Sequence, residues 1–212
     1  MYRRFLILLV VAGLLAVPSL CLKSVAQDDV VKEKVVKQKD TVKEEEPKEI
    51  REPDVIYVPT PHEVVAKMLE MADVKKTDVV YDLGCGDGRI VVAAAKKGCK
   101  AFGFDIDPQR IKDARANVKK NKMGKLATIE QKDIFTLDLS KANVVTLYLL
   151  PSLNVKLIPQ LEKLKPGCRI VSHDFDMEGV KPDKVVEFKE KESGASHTIY
   201  LWTTPLKKEK KE

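Results

Sequence analysis

A doubly wound α/β domain is predicted for residues 54–204, with a mostly parallel seven-stranded sheet that ends in an antiparallel hairpin. Three observations carry the prediction. Short Val/Ile-rich runs alternate with amphipathic stretches, the pattern of strand–helix units around a buried parallel sheet. One of these runs feeds a glycine-rich turn that opens a helix. The last two apolar runs are separated by a turn rather than a helix.

In chain order, Thr60-Pro61-His62-Glu63 opens the first helix. Thr60 is expected to cap it, Pro61 to suit its first turn and Glu63 to complete a capping box. Val64, Val65, Met68, Leu69 and Ala72 then share one face. The buried strands are expected at Val79–Leu83, Lys100–Asp105, Ala127–Asp133, Val144–Leu149 and Arg169–His173. Asp107-Pro108 starts a helix that Gly124 ends, and Ser152–Lys165 forms another. Lys184–Phe188 and His197–Thr203 flank Glu192-Ser193-Gly194-Ala195, a hairpin turn.

The flanks differ in kind. Arg3 and Arg4 precede an apolar run from Phe5 to Leu22, and Ser24-Val25-Ala26 is a small-x-small site for a signal peptidase. Residues 1–26 are therefore expected to act as a signal peptide or a retained membrane anchor. The basic end would stay inside and the remainder would be anchored at the membrane or exported. Residues 27–53, dense in Lys and Glu without a sustained period, read as a charged disordered linker. Residues 205–212 read as a basic tail.

Of the net charge of +6, residues 1–26 carry +3, 27–53 carry −2 and the tail +2. The remaining +3 is spread over the domain, which gives no electrostatic footprint for a nucleic acid. Cys21, Cys85, Cys99 and Cys168 lack paired zinc-type spacing, so neither a metal site nor a disulfide framework is expected. The chain is expected to be a monomer.

Val79 to Arg89 (VVYDLGCGDGR) is the strongest chemical signal. Glycines belong there because the backbone must turn sharply and approach a ligand with no Cβ in the way. A dinucleotide fingerprint would require glycine at position 89, where Arg89 stands. The spacing Gly84-x-Gly86-x-Gly88 behind Asp82 resembles motif I of class I S-adenosylmethionine (SAM) dependent methyltransferases, and the resemblance implies the Rossmann-like methyltransferase fold and SAM as cofactor. Asp87 closes this turn and belongs to the expected cofactor set. One strand–helix unit later, the Asp105 carboxylate can take both ribose hydroxyls in charge-assisted hydrogen bonds. The resemblance further implies that Ile106 lies against the adenine, that Asp133 meets its amino group, and that Ile134 lines the same site.

The fourth strand ends in Tyr148-Leu149-Leu150-Pro151, which is expected to face the transferred methyl. It departs from the Asn/Asp-Pro-Pro-Tyr pattern of amino-group methyltransferases, which weakens the inference of a DNA or glutamine substrate. Ser172-His173-Asp174-Phe175-Asp176 ends the fifth strand. Tyr148, His173 and Asp174 are the candidate catalytic residues. His173 could accept a proton, or it could be a hydrogen-bonded structural group. An apolar slot near Tyr57, Tyr148 and Phe175 could admit a lysine amine in its neutral form.

Residues 56–204, with Tyr57-Val58-Pro59-Thr60-Pro61 at the start and Asp87-Gly88-Arg89-Ile90-Val91 closing the glycine turn, resemble a narrower group. These are the membrane-anchored protein-lysine methyltransferases of the ATP synthase c-subunit and the adenine nucleotide translocase, with their bacterial relatives. That resemblance implies a protein lysine as methyl acceptor. Transfer to a small amine or hydroxyl compound and a non-catalytic membrane-tethered binding module are the competing readings.

Overall fold

The computed structural model describes Glu52 and residues 56–209, and the predictions for residues 1–26 and most of 27–53 lie outside them. Among the described residues no helix is long and apolar enough to cross a membrane. The elements are α1 (His62–Met71), β1 (Val79–Leu83), α2 (Arg89–Lys96), β2 (Lys100–Asp105), α3 (Pro108–Lys120), β3 (Ala127–Gln131), β4 (Val144–Leu147), α4 (Pro151–Leu161), β5 (Arg169–His173), β6 (Lys184–Lys189) and β7 (Ser196–Thr203). A short 3-10 turn, Ile134–Thr136, follows β3.

The seven strands form one sheet in the order β3-β2-β1-β4-β5-β7-β6. The first five are parallel, and β7 runs antiparallel between β5 and β6. Alternation along each strand divides the core between two faces. Val80, Val144 and Val171 pack with Val65, Met68, Val91 and Ala114 from α1, α2 and α3. Their neighbours Tyr81, Val145 and Ile170 pack with Leu157 and Leu161 of α4 and with Trp202.

Helices α3 and α4 end about four residues earlier than the sequence-based expectation, at Lys120 and Leu161, and three further boundaries differ from it for a local reason. Helix α1 starts one residue later than a Thr60 cap requires: Pro61 is its N-cap, with no side-chain cap. The Thr60 hydroxyl instead meets Nδ1 of His173 at 3.2 Å, and Oε2 of Glu63 accepts from the Lys191 backbone, so the capping box does not form. Strand β3 stops at Gln131 because Asp133 turns inward to cap the 3-10 turn through the Phe135 N–H. Strand β4 stops at Leu147, the last residue paired to β1 and β5, and residues 148–150 peel away to enter α4.

Candidate active site

The strand order reverses direction between β1 and β4, since β2 lies on one side of β1 and β4 on the other. A crevice therefore opens beyond the carboxyl ends of these strands, the usual ligand position in an open α/β sheet. The cleft found there has about 890 Å³ of open space, mouth included. Apart from Gly88, every residue expected from the sequence to touch the cofactor lines it, and so does Tyr148.

The floor is the turn after β1. The N–H groups of Gly84 and Cys85 both donate to the Phe104 carbonyl at 2.9 Å, fixing the turn to the end of β2. Gly86 has φ +52, and a Cβ there would lie 2.2 Å from the Tyr57 ring. Gly88 is not in the lining: it caps α2 with φ +73 and presses on Ala114 of α3, where a Cβ would meet Cβ and Cα at 3.0 and 3.2 Å. Gly88→Ala therefore adds left-handed strain to a backbone clash. It is expected to cost about 1–3 kcal/mol of stability, which urea denaturation monitored by circular dichroism would measure.

The extended segment 56–60 lies against this turn, with Tyr57 on Gly86 and the guanidinium of Arg110 at 4.7 Å from the Tyr57 ring centre. Arg89 fastens the segment: NH1 donates to the Thr60 carbonyl at 2.8 Å, while Nε and NH2 grip the Asp87 carboxylate. Burial acts to raise Asp87, but the hydrogen bonds and charge of Arg89 outweigh it and hold the carboxyl below its usual range. Asp87 thus spends its side chain on closing the cleft wall.

Two carboxyls differ sharply from Asp87. Asp105 accepts from the Gly86 N–H at 2.9 Å and the Asp107 N–H at 3.0 Å, and burial raises its pKa against those bonds. Asp82 is 2% exposed, and its Oδ1 accepts from the Thr146 hydroxyl at 2.6 Å. Its Oδ2 is buried with no hydrogen-bond partner among the described residues. Burial lifts Asp82 to about 7, and the Asp105 and Asp87 carboxylates add to the rise against the Thr146 hydrogen bond. Both cleft arginines are paired with aspartates, Arg89 with Asp87 and Arg110 with Asp107 and Asp113. Asp82 and Asp105 therefore leave the cleft suited to a cationic ligand.

The three residues expected to be catalytic do not form one open site. Tyr148 faces the cleft, and its ring rests 4.0 Å from that of His173 and 6.0 Å from Phe175, which backs it. His173 is fully buried and outside the lining, with Nδ1 on Thr60 and Nε2 on His197. Burial pulls its imidazole down to about 4. With no solvent-facing nitrogen, His173 fits the structural alternative rather than that of an open proton acceptor. Asp174 also lies outside the lining and turns toward the two histidines. Phe175 is behind the slot, not in its wall. His197, Arg110 and Leu153 were not legible in the sequence, because no local motif singles out residues that only folding brings to these places.

A parallel sheet with its cleft at the switch point, a glycine turn behind a buried Asp and a second carboxylate at the next strand end define a SAM-dependent methyltransferase. The chain belongs to the family described as the ANTKMT methyltransferase domain, whose profile matches residues 82–184. A protein from Saccharolobus islandicus named protein-lysine N-methyltransferase is 48% identical over 153 residues, covering 71% of this chain and 94% of that protein. A Xenopus laevis protein, named as the lysine N-methyltransferase of the ATP synthase c-subunit, is 29% identical over 61% of this chain, which spans 57% of that protein's length. A crystal structure described as an RNA methyltransferase from Salinibacter ruber with S-adenosyl-L-homocysteine is 52% identical, with a TM-score of 0.64 over 70% of this chain and 94% of that one.

Proposed function

We propose that this methyltransferase acts on the side-chain amine of a protein lysine. The observation that carries the reading is the 48% identity, across 94% of its length, to a protein named for that activity. The apolar part of the cleft lining supports it, to which Tyr57, Tyr148, Leu149 and Leu153 contribute.

In this reading SAM supplies a methyl already activated by its sulfonium, and the chain's residues bind, orient and exclude water. Asp105 holds the ribose hydroxyls, and its two backbone hydrogen bonds keep it aimed. Asp82 offers its unpartnered Oδ2 to the ammonium of the methionine portion. Ile106 and Ile134 flank the adenine, and Asp133 receives its amino group. The glycine turn brings backbone close to the cofactor.

A lysine acceptor must arrive neutral, although its free pKa is about 10.4. Desolvation in a cleft lined by the Tyr57 and Tyr148 rings favours the neutral amine, and aromatic faces tolerate the cationic product. No carboxylate stands at positions 148–150 to hold the amine charged. Tyr148→Ala is expected to lower kcat about tenfold or more while leaving SAM affinity within about threefold. Unchanged turnover would remove Tyr148 from the site.

An RNA acceptor is the second reading, favoured by the description of the 52%-identical structure. Incubating the chain with tritiated SAM and separated protein and RNA fractions decides between them. Label that proteinase removes and ribonuclease leaves supports lysine, with methyl-lysine recovered on hydrolysis. Label confined to RNA overturns it.

A further inference from the structure

Beside the cofactor cleft, the end of β5 and the start of β7 bring together a second group of side chains. His173 Nε2 lies 2.9 Å from His197 Nδ1, and Asp174 Oδ2 lies 3.1 Å from each. His197 Nε2 faces the Glu190 carboxylate at 2.9 Å. Three donor atoms from three side chains thus stand within 3.1 Å of one another, close enough to share a single cation.

The dimensions fit such an ion. Donors bound at about 2.1 Å are spaced about 3.0 Å on one face of an octahedron and about 3.4 Å in a tetrahedron. The observed 2.9–3.1 Å match the octahedral face. Each donor is also aimed from behind, as metal ligands are. Glu190 holds the outer nitrogen of His197, and Thr60 holds Nδ1 of His173 at 3.2 Å. Oδ1 of Asp174 accepts from the Thr198 N–H at 2.8 Å, leaving Oδ2 for the triangle. Asp174 adopts φ +58, a left-handed conformation that few non-glycine residues take, and its N–H is tied to the Thr198 carbonyl at 2.7 Å. His173 closes the inner side, while the side chains of His197 and Asp174 are 14% and 30% exposed, leaving an entry path and room for water ligands.

We propose that His173, Asp174 and His197 bind one first-row divalent transition-metal ion. Two imidazoles and one carboxylate suit iron, cobalt, nickel, zinc or manganese. The site lies outside the cleft lining and does not depend on the identity of the methyl acceptor. Its consequence for the cleft is positional: it fixes the His173 ring on which Tyr148 rests. The cysteine spacing that argued against a metal was silent here, because the ligands come from two strands separated by the whole β6 excursion.

The test strips the full-length chain with a chelator, then adds Mn(II), Co(II), Ni(II) or Zn(II) separately. Melting temperature is followed, and metal content is measured after gel filtration. One ion retained per chain with a raised melting temperature is the expected result for at least one metal. Asp174→Asn, which preserves the backbone turn and the Thr198 contact, is expected to lose that ion, and Glu190→Gln to weaken it about 10- to 100-fold. No retained ion and no melting shift with any of the four metals would overturn the site. So would equal stoichiometry and affinity in Asp174→Asn and His197→Asn, which would put the ion elsewhere.

Discussion

Asp105→Ala is expected to weaken binding of SAM and of S-adenosyl-L-homocysteine by at least about 100-fold. Two charge-assisted hydrogen bonds to ribose hydroxyls, at about 1.5–3 kcal/mol each, set that scale. The substitution also releases the Gly86 N–H, which Asp105 holds at 2.9 Å, so the glycine turn loses an anchor along with the ligand contact. Titration calorimetry on wild type and variant measures the loss, and circular dichroism establishes that both are folded. An affinity within threefold of wild type would place the ribose elsewhere and remove Asp105 from the cofactor site.

Asp82 predicts the second large effect, a proton-linked affinity. In the ligand-free protein its carboxyl titrates at about 7, raised chiefly by burial. An arriving ammonium favours the carboxylate, so below pH 7 binding must expel a proton. The affinity for SAM is expected to rise about tenfold per pH unit between about pH 5 and 7 and then level off. Calorimetry in buffers of different ionisation enthalpy would register the released proton, and Asp82→Asn would abolish both signals.

The stability of the free protein moves the opposite way. Because the folded pKa lies above the unfolded value near 3.9, the stabilisation from the neutral carboxyl is complete below about pH 4. It is lost as pH climbs to about 7. At pH 8 the buried carboxylate costs up to about 4 kcal/mol, from about three pKa units at 1.36 kcal/mol each. Asp82→Asn should therefore melt higher than wild type at pH 8 and show no such gain at pH 4. A pH-independent difference would show that the Asp82 carboxyl is not the titrating group.

The position of the cleft and most of its floor were readable from local chemistry. A strand that runs into Gly-x-Gly-x-Gly can do little but turn sharply, and the acids at positions 82, 105 and 133 stand one strand–helix unit apart. Strand lengths were less legible, since an apolar residue such as Leu149 has the same hydropathy in a strand as in a cleft wall. Thr60 and Glu63 carry the residue types and spacing of a capping box, yet the helix begins one residue later and both side chains serve distant partners. Local preference is worth about 1 kcal/mol at a cap, and tertiary contacts can outweigh it.

The sequence alone determined that this chain builds an α/β sheet with a glycine turn at the end of one strand, because both follow from periodicity and spacing within a few tens of residues, while its resemblance to SAM-dependent methyltransferases supplied the candidate cofactor residues. Only the tertiary structure decided what those side chains face. It buried His173 away from the cleft, turned Asp87 onto Arg89 and left Asp82 with an unpartnered oxygen. It also set His197, on the neighbouring strand β7, beside His173 and Asp174. Burial and proton balance are properties of neighbours in space, and a linear pattern does not record which residues those are.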